Sequence, residues 1–188
     1  MNIIKICFIG IILTLSATAA SEIDPLKNIN ERTHVLNQTL DLQLASPIAR
    51  FYKRVTPDFI EISITNFTSN IEDLSIAINN ILQGKPTDGI SDITRFTINS
   101  TLGIGGFIDV ASGLGLDKND EDFGQTLAVW GIPDGPYLVL PGLGPSTMRD
   151  TLAMIPDAFL TPLWLIDHDR TAYSLTAIDL VDPRARYL

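Results

Sequence analysis

An all-α fold is what this chain predicts, on three observations. Apolar residues recur at spacings of three and four along most of its length. Start and stop residues bracket those runs. The one stretch that lacks the period is short and rich in Gly and Pro. The 188 residues suit a single domain. Charged residues make up 19%, below the average of about 25% for soluble domains. Together with 45% hydrophobic residues, this excludes a disordered tail, a collagen-like repeat and a disulfide scaffold. The net charge of −9 gives nothing to hold a phosphate backbone, so nucleic acid is not an expected partner. Anionic lipid head groups are not attracted by charge either, and any membrane contact must rest on apolar area.

Residues 1–20 read as a secretory signal peptide: Lys5, the apolar run Ile6–Leu15, and an A-x-A site at Ala17-Thr18-Ala19. A retained anchor helix is the alternative. Cleavage would leave residues 21–188 as the domain, more acidic by one charge and without Cys7, the sole cysteine. Cys7 lies at the start of the apolar run, not after it, so the chain reads as exported without an evident lipidation site.

In the domain, Leu26, Ile29, Thr33, Leu36, Leu40 and Leu44 mark the first helix, which Pro47 interrupts. Short helical pieces are expected at Ile48–Tyr52 and Asp58–Ile64, although Ile60–Ile64 alternates and also suits an extended segment. Ser69 with Glu72 forms an S-x-x-E capping box, the signature of a helix start. The helix it opens has Ile71, Leu74, Ile78, Ile81 and Leu82 as its apolar face, and Gly84 and Pro86 as its stop. Thr87 or Asp88 should cap the next, with Ile90, Ile93, Phe96 and Ile98 as burial candidates. Glycines break residues 102–116, and 117–122 is an acidic loop. Phe123, Leu127 and Trp130 fit a further helix. Residues 131–145 hold four glycines and four prolines, and read as an apolar loop or hairpin with Tyr137–Leu140 as its extended arm. Ser146 or Thr147 caps a helix to Met154. Pro156 and Pro162 then fragment the apolar stretch Phe159–Ile166, and a last helix covers about 171–180. No segment of the domain holds the ~18 consecutive apolar residues of a spanning helix.

Catalytic and cofactor signatures are missing. Gly103-x-Gly105-Gly106 lacks the third glycine of a dinucleotide loop, because position 108 is Ile. Gly84-Lys85 is followed by Pro86, which excludes a phosphate loop. His34 falls on the polar side of the first helix. Asp167-His168-Asp169 offers metal-ligand chemistry without a second cluster, and reads as a solvated loop. Asn37, Asn66 and Asn99 each begin an N-x-T sequon. No cofactor is expected, and the chain does not read as an enzyme.

Several strings nonetheless stand in a recognisable order. Asp24-Pro25-Leu26 with Asn30 approximates D-P-x-E-x-x-N-R, with Lys27 and Glu31 departing from it. Asn66-Phe67-Thr68-Ser69-Asn70-Ile71 is close to N-F-x-x-N-L. Leu82-Gln83-Gly84-Lys85-Pro86 follows, then Thr94-Arg95-Phe96-x-x-Asn99-Ser100-Thr101 and the run from Leu102 to Ala111. Glu121-Asp122-Phe123-Gly124-Gln125-Thr126-Leu127, Gly135 to Pro141, Ser146-x-x-Arg149-Asp150 and Arg184-Ala185-Arg186 complete the set. Together they resemble the MlaA/VacJ family of bacterial outer-membrane phospholipid-transport proteins.

The resemblance implies a ring-like, all-helical protein lying in the outer membrane at its periplasmic side. An amphipathic channel would pass misplaced outer-leaflet phospholipid to a periplasmic carrier, and a trimeric porin would hold the ring. It also implies site roles. Pro136, Tyr137, Leu140 and Pro141 would belong to a gate beside the channel. Asn66 and Phe67 would sit at a helix junction that influences opening, with Phe107 as a further lining residue. Gly103, Gly105 and Gly106 would allow close backbone packing, and ordinary core packing is the competing role for Phe67, Phe107 and Tyr137. Two departures from the family stand out: a lipidated cysteine usually follows the signal, and a helical tail often follows Arg-Ala-Arg, so a short or truncated form is expected here. The competing functional readings are a soluble periplasmic lipid-binding or adaptor module, and a hydrolase built on His168.

Overall fold

The computed structural model describes residues 24–161. The signal peptide with Cys7, the Asp167-His168-Asp169 cluster, the helix expected over 171–180 and Arg184-Ala185-Arg186 lie outside the described residues.

The chain enters through Asp24, whose Oδ1 accepts a hydrogen bond from the Leu26 amide at 2.9 Å and turns the backbone into α1 (Lys27–Leu40). His34 is exposed on this helix. Pro47 does not break the path. A π-helical turn over Asp41–Ala45 carries α1 directly into α2 (Ser46–Val55). A proline lacks an N–H and its ring collides with the carbonyl four residues back. The wider π turn accommodates both, and leaves Pro47 in the first turn of α2, where no N–H is needed.

Thr56 is extended, as a residue before proline should be, and Pro57 leads into α3 (Asp58–Leu82), one continuous helix of 25 residues. Here the structure corrects three expectations. Asp58–Ile64 is not a separate piece. Ser69 and Glu72 open no helix, since both lie inside α3. Asn66 and Phe67 are mid-helix, not at a junction. The S-x-x-E pair has another use, because Lys118 Nζ bonds to the Ser69 hydroxyl and lies 3.0 Å from Glu72 Oε2.

Gly84, at φ +82°, ends the helix in the left-handed conformation, with the Lys85 amide bonded back to the Asn80 carbonyl at 2.9 Å. The next helix, α4 (Pro86–Thr101), starts at the proline itself, with Lys85 at the cap position in place of Thr87 or Asp88. It packs along α3 at Gly89, where a Cβ would lie 2.8 Å from both the Ala77 carbonyl oxygen and Ile81 Cγ1.

A glycine-rich turn leads to α5 (Val110–Gly113), capped by Asp109, and Asp122 caps α6 (Phe123–Val129). Tyr137–Leu140 forms β1, which pairs antiparallel with β2 (Gly144–Thr147) in a register that sets Val139 opposite Pro145. The fold is therefore predominantly helical rather than all-α. Thr147 caps α7 (Met148–Leu160), which runs through Pro156 instead of fragmenting there.

The interior overturns the expected core. Among the described residues twelve polar or charged side chains are buried, against six apolar ones, four of them alanine. On α4 the buried positions are Gly89, Asp92, Arg95 and Asn99, while Ile90 and Ile93 are 62% and 44% exposed. Phe96 and Ile98 are only half-buried. On α3, Ile78, Ile81 and Leu82 face outward, and Ile71 and Leu74 are half-buried. The periodicity that marks these helices is real, but the stripe it identifies lies on the outside. No helix among the described residues is long and apolar enough to cross a membrane.

Candidate functional site

Several of the buried polar side chains form a cluster between α3, α4 and the segment 109–119. Its centre is Arg95, 2% exposed. Its Nη2 lies 3.2 Å from Asp109 Oδ2 and its Nε lies 3.5 Å from Asp73 Oδ2. Nη1 donates to the Ser112 hydroxyl at 3.0 Å and to the Leu116 carbonyl. Lys118 Nζ approaches Asp73 Oδ1 at 3.6 Å from the other side. Asp92, fully buried, accepts from Asn80 at 2.8 Å and from Asn119 at 2.9 Å. Asn99 donates to Asp109 at 3.0 Å and accepts from the Ala111 amide at 2.9 Å.

The two acidic groups beside Arg95 differ in environment. Asp73 has cations at ion-pair distance but accepts no hydrogen bond. Burial dominates, and pushes its carboxyl up to about 6 against the pull of Lys118 and Arg95. Asp109 is partly buried too. There the Ser112 hydroxyl and amide, Asn99 and Arg95 outweigh the desolvation and hold it at about 2. Breaking a buried ion pair by removing one partner typically costs about 3–5 kcal/mol, so this cluster fixes where the 109–119 segment sits.

A second polar group joins α3 to α6 and α7. The Thr126 hydroxyl donates to Asn79 Oδ1 at 2.8 Å, and Asp157 accepts from the Phe123 amide at 3.0 Å. Burial raises the Asp157 carboxyl above its ordinary value despite that bond. Glu121 closes the group from the loop: despite partial burial, Lys85 at 2.7 Å and Gln83 at 2.8 Å hold it below the ordinary range.

The residues singled out from the sequence fall into two places. Asn66, Phe67 and Phe107 meet where the glycine turn folds back on α3. The Phe67 and Phe107 rings stack with centroids 5.1 Å apart and 18° between planes, and Asn66 Nδ2 donates to the Phe107 carbonyl at 3.2 Å. Phe107 remains 45% exposed. The turn is shaped by its glycines. A Cβ at Gly103 would lie 2.1 Å from the Ile108 carbonyl oxygen, and one at Gly106 would lie 2.6 Å from Asn70 Nδ2. Gly105 borders open space and is constrained instead by its φ of +72°.

Pro136, Tyr137, Leu140 and Pro141 belong to the other place, the β1–β2 hairpin against α1. Tyr137 is exposed and Leu140 half-buried. At the base of the hairpin the Met148 amide donates to the Pro136 carbonyl at 3.0 Å, and Arg149 pairs with Asp134.

Sequence reasoning gave no site role to Asp73, Asn80, Asp92, Arg95, Asn99, Asn30 or Asn37, although Asn30, Arg95 and Asn99 stand in the family strings and Asn37 and Asn99 begin sequons. The signal that marks them is a polar stripe at helical spacing: Asp92, Arg95 and Asn99 on α4, Asp73 and Asn80 on α3, Asn30 and Asn37 on α1.

Comparison with known proteins follows the same line. Residues 22–188 match the family model described as MlaA lipoprotein. An uncharacterized protein of Rickettsia conorii is 37% identical over 162 residues, covering 86% of this chain and 64% of that protein. The intermembrane phospholipid transport system lipoprotein MlaA of Escherichia coli is 37% identical over 148 residues, covering 76% of this chain and 59% of that protein. Its namesake in Haemophilus influenzae is 31% identical, covering 88% and 68%. The chain thus spans about 64% of the length of the rickettsial relative. A solved structure from work on the structural basis for maintenance of bacterial outer membrane lipid asymmetry superposes with a TM-score of 0.78 at 31% identity, covering 88% of this chain and 84% of that one. With the match running through nearly the whole domain, the chain belongs to the MlaA lipoprotein family.

Proposed function

We propose that this protein moves phospholipid between membranes: it lies in the outer membrane at its periplasmic side, takes misplaced phospholipid from the outer leaflet and passes it to a periplasmic carrier. The observation that carries this reading is the inverted distribution of side chains. Thirty large apolar residues are exposed among those described, while the largest fully buried side chains are Arg95, Asn79, Asn80, Thr126, Asp73 and Asp92. Water-soluble monomers rarely present apolar surface on that scale, and a bilayer is the environment that suits it. With no helix among the described residues fit to span, the helices rest in the plane of the leaflet, in a ring-like arrangement that gives a head group a polar path. Exposing both acyl chains of one lipid to water costs on the order of 20 kcal/mol, at about 0.8 kcal/mol per CH₂. The task is to shield tails while passing a head group, which needs no bond-breaking chemistry and no cofactor.

In this reading the hairpin with Pro136, Tyr137, Leu140 and Pro141 gates the path, and Asn66, Phe67 and Phe107 set its width. A trimeric porin steadies the ring. The exposed apolar surface weighs against a soluble periplasmic module. The test is complementation. A Gram-negative strain without its own family member, given this chain, should lose the excess phospholipid on its surface, with the protein retained in carbonate-washed outer membrane. Retention in the membrane with surface phospholipid still raised would overturn the transport reading; recovery in the soluble periplasm would overturn the embedded one.

A further inference from the structure

The hairpin has a structural tie that the pairing of β1 with β2 does not provide. Asn30 and Asn37 lie seven residues apart on α1, two helical turns, and therefore on one face. Asn30 uses both ends of its amide on β1, and Asn37 uses both ends of its amide on the end of β1 and the turn that follows it. Asn30 Nδ2 donates to the Tyr137 carbonyl at 3.0 Å, and its Oδ1 accepts from the Val139 amide at 2.9 Å. Asn37 Nδ2 donates to the Leu140 carbonyl at 2.9 Å, and its Oδ1 accepts from the Gly142 amide at 2.8 Å. A primary amide offers the same donor and acceptor as a peptide group, so Asn30 stands in for a neighbouring strand and Asn37 holds the turn. Asn30 is 5% exposed, and its orientation is set by Asp24, whose Oδ2 accepts from the same Nδ2 at 2.8 Å. This gives the Asp24-Pro25-Leu26…Asn30 string a structural purpose: Asp24 starts the helix and aims the first asparagine.

We propose that Asn30 and Asn37 are positioning residues that set the hairpin on α1, so that the gate takes its position from that helix instead of swinging as a free flap. The link to lipid passage rests on the function proposed above; the link between α1 and the hairpin does not. Leaving a hairpin N–H without its partner removes protection at that amide, and the two asparagines serve different amides. The experiment is site-resolved hydrogen exchange on the full chain in detergent micelles or lipid nanodiscs. Asn30→Ala should speed exchange at Val139 about tenfold and leave Gly142 unchanged, and Asn37→Ala should do the reverse. Asn37 is the less buried of the two, and its variant keeps the test decisive should Asn30→Ala not fold. Wild-type exchange at both amides would overturn the proposal, as would uniform acceleration through the helices, which marks a purely structural role. In complemented cells Asn37→Ala should raise surface phospholipid at equal protein abundance. Freed Gly142 exchange with unchanged surface lipid would remove the asparagine from lipid passage while leaving the clamp. Because exchange is read without lipid flux, failure of the clamp and failure of the transport reading are separable.

Discussion

Gly103 and Gly105 stand two residues apart and are needed for different reasons. At Gly103 a methyl group would press into backbone, 2.1 Å from the Ile108 carbonyl oxygen and 2.5 Å from that of Asn99. Backbone at that distance cannot step aside as a flexible side chain would. At Gly105 a methyl group has room, and only the left-handed φ of +72° opposes it. Gly105→Ala should therefore cost about 1–2 kcal/mol and Gly103→Ala distinctly more, measured as the fall in thermal unfolding midpoint in detergent. Equal effects would mean that the turn relaxes around Gly103. Sequence alone marks this stretch as a turn between helices. It does not separate the two glycines, because the clash depends on residue 108 folding back over residue 103.

Among the described residues most helices were legible as helices, and their facing was not. The Ile90 and Ile93 positions and the Asp92, Arg95 and Asn99 positions all recur at helical spacing, and a period is silent on which side meets the interior. Placing the apolar side inward is the rule for a chain folded in water, and in this structure the polar side faces in. Ser69 and Glu72 misled for a local reason: S-x-x-E spacing also brings both residues to one face of an uninterrupted helix, where Lys118 joins them. Pro47 misled because a π turn absorbs a proline that an α-helix would not. The inverted facing of α4 makes a sharp prediction. Arg95→Leu leaves Asp73 and Asp109 without their shared cation, and should cost about 3–5 kcal/mol. Ile90→Ala trims a side chain that is 62% exposed, and should shift stability in micelles by less than about 0.5 kcal/mol. An ordinary apolar-core protein would show the opposite order, and unfolding midpoints of the two variants decide it.

For the molecule as a whole, the network around Arg95 sets how stability depends on pH. Asp109 has its carboxyl lowered to about 2 in the fold. Its contribution is therefore complete above the unfolded value near 3.8 and is lost as pH falls toward 2. Asp73 is raised to about 6, so its contribution is complete below 3.8 and is lost as pH rises through 6. Asp157, raised by burial as well, acts in the same direction as Asp73. The unfolding midpoint should pass through a maximum near the unfolded carboxyl value and fall to either side. Asp73→Asn should flatten the upper limb and Asp109→Asn the lower; a midpoint that climbs steadily from pH 4 to 7 would contradict the assignment of Asp73. The polar interior also governs the heat signature of unfolding. An ordinary domain wets a hydrocarbon core when it opens, and the heat capacity rises steeply for that reason. Here the surface newly given to water includes asparagine, aspartate and arginine, whose hydration lowers the heat capacity. The stability curve of this protein should accordingly be flatter with temperature than that of an apolar-core chain of equal length, and cooling should loosen it less.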